Sequence, residues 1–315
     1  MNGVDNTYEL KNQNIVLNNN KEYTEESPLK KIFAWIEPYL YIAPAFIIFL
    51  VFLFYPFFKT IYLSLYLTDN QGRGKIFIGI QNYIDLFTST EFIKSLKTTF
   101  LFAFIVIVFS LLLGLITANL VNIEGKAFNP FKIIFSMPMA IASSSAALIF
   151  EKMFQPATGF VNKVLHTDIQ WLVDPKWALP VVAFTTVWMV SAINYIFISA
   201  GLKNIPKSLY ESADIDGADY FRKLFYITFP GLSPVLFFVL TMNIIFAFQS
   251  FGQIKIMTEG GPGDATNVIV YSIYRDAFFN FRFGSAAAQS IILFIIILII
   301  TLIQFRYEKR GVFYK

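Results

Sequence analysis

The sequence predicts an all-α membrane protein with six transmembrane helices, and two observations support this fold class. The chain of 315 residues is 56% hydrophobic and only 15% charged, whereas a typical soluble domain is about 25% charged. A helix needs about 20 apolar residues to cross the hydrocarbon core of a bilayer, so a long window without charges predicts one span. The windows of 18 or more residues that contain no Asp, Glu, Lys or Arg are 39–58, 98–123, 133–150, 177–202, 224–254 and 283–305.

The segments at the two ends of the chain are polar and lie outside the predicted spans. Residues 1–36 contain many Asn and charged residues, so they are expected to form a disordered tail. The first apolar window begins only near Tyr39, which argues against a secretory signal peptide. The predicted transmembrane domain therefore covers residues 37–307, and a short second tail follows at 308–315.

Basic residues indicate the orientation of the spans, because loops on the cytosolic side carry an excess of Lys and Arg. Lys30 and Lys31 precede the first span, and Arg306 and Arg310 follow the last one. Both termini are therefore expected in the cytosol. Residues 204–230, between the fourth and fifth spans, would then also be cytosolic.

The residue types exclude several kinds of chemistry. The chain has no Cys and one His, which excludes disulfides, thiolate metal sites and thiol catalysis. His166 is interpreted as a solvated loop residue. No stretch matches the phosphate loop G-x-x-x-x-G-K-[ST], and the six windows hold no charge that could relay protons or bind sodium. We therefore expect no catalytic residue, metal or cofactor in this chain, and the energy for any transport would come from another subunit.

Residues 204–230 form a charged segment between two of the most apolar windows. Pro206 suits the first turn of a helix, and Gly217 can adopt the left-handed backbone that ends one. A second short helix is expected to begin around Ala218. The pattern therefore predicts a helix–glycine–helix unit at the membrane surface.

The charge of this unit indicates what it contacts. Glu211 and Asp214 make the first helix acidic, whereas anionic lipid headgroups attract basic segments. A basic protein partner is therefore the favoured interpretation. An amphipathic helix that lies on the headgroups is the alternative.

Two parts of the chain resemble the permease subunits of bacterial ABC importers. The first is similar to the cytoplasmic EAA loop of that family and consists of Glu211, Ser212, Ala213, Asp216, Gly217, Ala218, Ile227, Pro230 and Pro234. Ser212 departs from the family pattern, which has Ala, and Phe229 stands where the pattern has Leu. The second part is the external loop at 257–290, whose triplet is typical of the first permease subunit in maltose- and glycerol-phosphate-type systems. That triplet is Gly260, Gly261 and Pro262.

The resemblance implies a type I ABC importer fold and a set of partners. The EAA loop of the family is a coupling helix, so an ATPase subunit is expected to contact Glu211, Ser212, Ala213, Asp216, Gly217 and Ala218. The triplet is expected to contact a binding protein or a partner permease, and a plain surface turn is the alternative. Expected partners are a second homologous permease, an extracytoplasmic binding protein and two ATPase subunits that hold ATP and Mg, all at a bacterial cell membrane.

Neutral polar residues in the fourth and fifth windows are candidates for binding substrate. Amides, hydroxyls and aromatic rings suit a sugar, whereas an anion would need Arg or Lys. The candidates are Thr186, Asn194, Tyr195, Asn243, Gln249, Ser250 and Gln253. By the resemblance, sugar contacts of the maltose-type permease fall near Thr186, Ile193, Asn194, Asn243 and Ser250. For each residue the alternative is a structural hydrogen bond between helices.

These observations together predict a permease subunit of an ATP-driven importer of sugars, with oligosaccharides as the favoured class. Glycerol phosphate, polyols and uronate-bearing saccharides are the alternative substrates. An ATP-independent carrier or channel is the alternative from another functional class, although such a protein has no need of an acidic docking unit.

Overall fold

Long helices dominate the computed structural model, which describes residues 28–121 and 129–311, with side chains described for 37–121 and 130–308. Among these residues, five helices are long and apolar enough to cross a membrane. They match the first, second, fourth, fifth and sixth predicted windows. Their bounds are Glu37–Ser64, Thr90–Val121, Pro175–Lys203, Tyr220–Met257 and Phe283–Glu308.

The third predicted window differs from the others because it forms a bent pair of helices. Pro130–Ala140 and Ser143–Met153 meet at an angle of 104°. Pro138 lacks an amide hydrogen and its ring clashes with the preceding turn, so the α-helix ends before it. A short 3-10 turn, Met137–Ala140, follows the helix. Counted as one broken span, the pair brings the described spans to the predicted six.

The helices and strands are numbered here in chain order. Helices before the third window are α1 (Pro28–Phe49), α2 (Tyr55–Ser64), α3 (Gln81–Thr88) and α4 (Thr90–Val121), with strands β1 (Tyr66–Thr68) and β2 (Gly74–Phe77) between α2 and α3. The next helices are α5 (Asn129–Ser136), α6 (Ser143–Met153), α7 (Phe160–Leu165), α8 (Pro175–Lys203), α9 (Lys207–Ile215) and α10 (Tyr220–Lys223). The last are α11 (Phe229–Phe248), α12 (Gly252–Met257), α13 (Ile269–Phe278) and α14 (Phe283–Gly311). Two π-helical turns, Leu50–Phe54 and Leu224–Thr228, join α1 to α2 and α10 to α11.

The chain divides into two compact units, residues 1–59 and 60–315. In the first unit the described residues form α1, a π-helical turn and the start of α2. Helix α1 begins at Pro28, inside the tail predicted for residues 1–36, because the proline suits a first helical position. Residues 1–27 of that tail and 312–315 of the second tail lie outside the described residues. Apolar side chains of this unit, such as Phe46 and Phe52, are exposed.

The core of the second unit lies where α4, α8, α11 and α14 meet. Phe102 and Val106 of α4 are fully buried, and so is Val182 of α8. The two helices approach most closely at Gly114, where an added Cβ would lie 2.5 Å from Asn194 Cβ. Small residues at such crossings let helix backbones approach in a membrane, where van der Waals packing drives association.

Helices α8 and α11 also pack closely at the end where α8 finishes. A Cβ on Gly201 would lie 2.9 Å from side-chain atoms of Leu232 and Val235. A Cβ on Gly231 would lie 3.0 Å from Ile205. The last turns of α8 and the first turns of α11 therefore pack as one block.

A two-stranded hairpin marks the opposite end of the bundle, which we call the hairpin end. Strands β1 and β2 are antiparallel, with Tyr66 opposite Phe77. The turn between them is organised by Asp69, whose carboxylate accepts hydrogen bonds from the Arg73 and Gln71 amides. The bond from Arg73 is the main reason that the pKa of Asp69 lies below its ordinary value.

A buried carboxylate joins α13 to the start of α14 at the hairpin end. Asp276 is 4% exposed. Its Oδ1 accepts a hydrogen bond from Asn280 (2.9 Å) and forms an ion pair with Arg282. Its Oδ2 accepts hydrogen bonds from Ser285 (2.8 Å) and Gln289 (2.7 Å). A buried charge is stable only when it is paired and hydrogen-bonded, and these contacts meet that requirement.

We predict that Gly114→Ala destabilises the protein by about 1–3 kcal/mol, the usual range for overpacking a tight core. The added methyl group would overlap Asn194, so α4 and α8 would have to separate. Thermal unfolding of the purified protein in detergent measures the effect. Gly252→Ala is the matched control, because the nearest atom to its added Cβ is Ser143 Oγ at 3.5 Å. Equal melting of the two variants would contradict the close crossing.

We predict that Asp276→Ala also lowers the free energy of unfolding, by at least about 1–3 kcal/mol, because buried donors such as Gln289 lose their acceptor. The control is Glu259→Ala, which removes a 71% exposed carboxylate paired with Lys255. An exposed pair of this kind contributes about 0–1 kcal/mol. Urea titration of both variants gives the comparison, and a smaller loss for Asp276→Ala than for Glu259→Ala would disprove the role of Asp276.

Candidate functional site

A sharp corner lies between α8 and α11, and we call residues 207–228 the elbow. Helix α9 ends at Ile215, and Gly217 follows with a φ of +70°. The Gly217 amide donates to the Asp214 carbonyl (3.1 Å), and the Ala218 amide to the Ala213 carbonyl (2.8 Å). This is the Schellman pattern that ends many helices, and its left-handed residue favours glycine. The predicted helix–glycine–helix unit is therefore present.

The second helix of the elbow begins slightly later than predicted. Asp219 accepts a hydrogen bond from the Arg222 amide (2.9 Å) and caps α10, which starts at Tyr220 instead of Ala218. Helix α10 then runs through the π-helical turn Leu224–Thr228 into α11. The second arm of the elbow is therefore the first part of the fifth span.

The predicted ATPase-coupling residues lie together on this elbow. Glu211, Ser212, Asp216 and Gly217 are exposed, whereas Ala213 and Ala218 are half-buried. Large apolar side chains beside them are also exposed, and these are Ile215, Tyr220, Phe221 and Phe225. The elbow thus combines carboxylates with an uncovered apolar patch, a composition that marks interaction surfaces.

A cavity of about 380 Å³ lies between the bend of the third span, α8 and the junction of α11 with α12. Several predicted substrate residues line it, namely Thr186, Ile193, Gln249, Ser250 and Gln253. Helix α8 supplies the first two, and the last three lie around the break between α11 and α12. The fold therefore brings residues from two predicted spans to one space.

The cavity is polar without being charged. Ser250 Oγ donates to Gln253 Oε1 (3.3 Å), and Gln253 Nε2 contacts the sulfur of Met189 at 3.4 Å. Gln249 is exposed, whereas Thr186 is buried and donates to the Val182 carbonyl. Among the described lining residues none is charged. The amide of Gln249 is therefore available for a neutral polar ligand, whereas Gln253 lines the cavity with its amide in contact with Ser250 and Met189.

Three predicted substrate residues lie away from this cavity. Asn243 Nδ2 donates to Ser110 Oγ (3.3 Å), a hydrogen bond between α11 and α4 of the kind given as the alternative interpretation. Asn194 is 2% exposed and packs against Gly114. Tyr195 is buried with its ring 6.0 Å from that of Phe135.

Other lining residues were missed by the sequence analysis. These are Pro138, Met139, Ile141, Ser143, Met189, Val190, Phe246, Phe251 and Gly252. Met189 follows Thr186 by three residues and therefore lies on the same face of α8, a spacing that could have indicated it. Pro138 inside a charge-free window was the available signal for the bend that forms one wall.

The triplet Gly260, Gly261 and Pro262 lies in a folded turn at the hairpin end. The Thr266 hydroxyl donates to the Gly261 carbonyl (2.7 Å), and a Cβ on Gly260 would lie 2.7 Å from the Tyr271 ring. Gly260 is buried, so it is a packing residue, whereas Gly261 and Pro262 are half-buried. The turn is tied to the start of α4 by an ion-pair network in which Arg275 contacts Asp264 and Glu91. His166 lies elsewhere at this end, exposed at the end of α7.

Comparison with known proteins identifies the family. Residues 110–311 match the family described as binding-protein-dependent transport system inner membrane component. The chain is 37% identical over 285 residues to the sn-glycerol-3-phosphate transport system permease protein UgpA of Agrobacterium fabrum (strain C58 / ATCC 33970), covering 89% of this chain and 97% of that protein. Identity to the protein of that name from Escherichia coli O157:H7 is 35% over 285 residues, covering 89% and 96%.

Solved structures agree in fold. A chain of the bacterial alginate ABC transporter, crystallised with an alginate pentasaccharide-bound periplasmic protein, superposes with a TM-score of 0.79 at 24% identity, covering 90% of this chain and 98% of that one. A chain of the inward-facing MetNI methionine ABC transporter gives a TM-score of 0.54 at 14% identity, covering 70% and 96%. The predicted all-α importer fold is therefore confirmed. The chain belongs to the family of binding-protein-dependent transport system inner membrane components and is a permease subunit of an ABC importer.

Proposed function

We propose that this permease forms half of the translocation pathway for a sugar, with oligosaccharides as the favoured class. The observation that carries the proposal is the uncharged cavity lined by Thr186, Gln249 and Gln253. Its volume of about 380 Å³ lies within the range of about 300–1,000 Å³ for small-molecule sites. Amides and hydroxyls can bind sugar hydroxyls, and Phe246 and Phe251 offer apolar walls for the ring faces.

Glycerol phosphate is the second candidate substrate, and the names of the two UgpA relatives favour it. A phosphate is recognised best by Arg or Lys, which form charge-assisted hydrogen bonds. The cavity offers none among its described lining residues. Import of glycerol phosphate would therefore require the positive charge to come from a second permease.

The remaining proposed partners are assigned to the two ends of the bundle. A second homologous permease completes the pathway, and a binding protein delivers the substrate at the hairpin end, where Gly261 and Pro262 are available for contact. Two ATPase subunits hold ATP and Mg on the elbow side. We propose that this side is cytosolic, because basic residues such as Arg306 follow the last span there, and that both termini are cytosolic as well.

The elbow is the proposed docking site for an ATPase subunit. Glu211 pairs with a basic residue of that subunit, and the exposed Ile215, Tyr220 and Phe221 fill an apolar cleft. Exposed large apolar side chains beside carboxylates support a protein partner over anionic lipid, which would be repelled by the acidic face of α9. Closure of the ATPases on ATP then moves the elbow, and with it α8 and α11.

Coupling is tested with Gly217→Pro and Glu211→Arg in the reconstituted transporter. Proline holds φ near −65°, which is incompatible with the φ of +70° at Gly217. Glu211→Arg places a positive charge opposite the basic residue of the ATPase subunit with which Glu211 is proposed to pair. Both variants should insert in the membrane but lose most ATP-dependent uptake. Asp168→Arg, a charge reversal on an exposed loop residue, is the matched control. Normal uptake by either elbow variant would remove the proposal.

The substrate site is tested with Gln253→Leu, which removes an amide from the cavity. Loss of one neutral hydrogen bond of about 0.5–1.5 kcal/mol should raise KM for uptake about two- to thirteenfold. Gln304→Leu is the matched control, because Gln304 is buried outside the cavity and donates to Thr241 Oγ1 at 2.7 Å. An unchanged KM for Gln253→Leu would exclude Gln253 from the site.

Direct uptake assays with two labelled substrates distinguish the two substrate classes. In proteoliposomes with the binding protein, uptake of a labelled neutral trisaccharide and of labelled glycerol-3-phosphate is measured with and without ATP. We expect ATP-dependent uptake of the neutral sugar. Uptake of glycerol-3-phosphate alone would favour the second candidate, and uptake that needs no ATP would indicate a carrier or channel.

A further inference from the structure

Two side-chain contacts join the arms of the elbow across Gly217. The Tyr210 hydroxyl on α9 lies 2.9 Å from Thr228 Oγ1, at the end of the π-helical turn that leads into α11. Asp214 on α9 also forms an ion pair with Lys223 on α10. Each contact therefore bridges the first arm and the arm that belongs to the fifth span.

The two contacts differ in exposure to water. Thr228 is 5% exposed and Tyr210 is half-buried, whereas the Asp214 side chain is 64% exposed. Exposed ion pairs are weakened by solvent and salt. The Tyr210–Thr228 hydrogen bond is therefore the sheltered link between the arms.

Gly217 adds no side-chain packing to the corner. A Cβ added to Gly217 would have no atom within 4 Å among its described surroundings. The backbone hydrogen bonds that end α9 act at this position, and Tyr210 and Ile227 pack on the buried cluster of α4, α8 and α11. The contacts that bridge the arms act together with this packing to hold the angle.

Thr228 lies at the end of an irregular helical turn in the second arm. The π-helical turn Leu224–Thr228 interrupts the regular α-helical hydrogen bonding, and such turns are frequent at functional sites. The Thr228 hydroxyl donates to the Lys223 carbonyl (3.3 Å) across this turn. The same hydroxyl lies within hydrogen-bond distance of the Tyr210 hydroxyl, so one side chain connects α9 to the irregular turn.

We propose that the Tyr210–Thr228 hydrogen bond is a positioning contact that makes α9 and the fifth span move as one body. The inference rests on the proposed function, in which an ATPase subunit moves α9. Without the bond the elbow flexes at Gly217, so ATP-driven movement of α9 no longer reaches α11. Tyr210 and Thr228 contact neither ATP nor substrate, and they act only through the helices that they join.

The experiment follows the two arms with spin labels in the full transporter, including the ATPase subunits and binding protein. The chain has no Cys, so labels at Ser208→Cys on α9 and Phe238→Cys on α11 report one distance. Both positions are exposed. Distances are recorded without nucleotide and after trapping with ATP and vanadate. Thr228→Val and Tyr210→Phe remove the bond while keeping the side-chain shape, and Thr228→Ser keeps the hydroxyl.

In the labelled parent we expect a narrow distribution of the distance between the two labels. This distribution should be retained after trapping, because α9 and α11 move together with the ATPase subunits. In Thr228→Val and Tyr210→Phe the distance should broaden on trapping, and substrate transported per ATP should fall about fivefold or more, with ATP hydrolysis continuing. The double variant should be no worse than either single one, because both remove the same interaction. Thr228→Ser should behave as the parent, because it keeps the hydroxyl.

A narrow distance and parental transport per ATP in Thr228→Val would overturn the inference while leaving the proposed function intact. Equal loss in Thr228→Ser and Thr228→Val would also overturn it, since the hydroxyl would then not be the active group. Absence of ATPase subunits from the purified parent complex would remove the proposed function and the inference together. Binding of the ATPase subunits is checked in every variant by co-purification.

Discussion

The close approach of α8 to its two neighbours is the constraint on which the rest of the structure depends. Gly114 lets α4 come within backbone contact of α8 near Asn194, and Gly201 lets the side chains of Leu232 and Val235 on α11 pack against the backbone of α8. Two thirds of the apolar window of α8 is buried, more than in any other described candidate span. In a membrane, helices gain little from hiding apolar surface from lipid, so this contact density stabilises the bundle through dispersion.

Both functional features are attached to this central helix. The middle of α8 carries Thr186 and Ile193 into the cavity, and its last turn leads directly into the elbow. The first turns of α11 pack on the same end of α8. The other end of α11 leads into the break that carries Gln249 and into α12, which carries Gln253. In the proposed mechanism the elbow therefore needs no separate transmission element, since a displacement of its two attached helices is a displacement of the cavity walls.

Polar side chains within the bundle fall into two groups. Asn243 with Ser110 and Gln304 with Thr241 form hydrogen bonds between helices. Gln249 and Gln253 instead line the cavity, where Gln249 is exposed and Gln253 contacts Ser250 and Met189. An unpaired amide in apolar surroundings is costly, and Gln249 avoids this cost because it lies at the helix break between α11 and α12, which opens onto the cavity.

The sequence by itself determined the number and approximate bounds of the spans, the corner at Gly217 and the acidic character of the elbow. Each of these depends on local properties, namely the length of charge-free windows and the backbone preferences of glycine and proline. Only the tertiary structure decided that the third window bends after the 3-10 turn Met137–Ala140. It also decided that Asn194 and Asn243 face other helices while Gln253 faces the cavity, and that Tyr210 reaches Thr228. The physical reason is that these features depend on the rotation of each helix about its axis and on which helix lies beside it, and residues far apart in the chain set both.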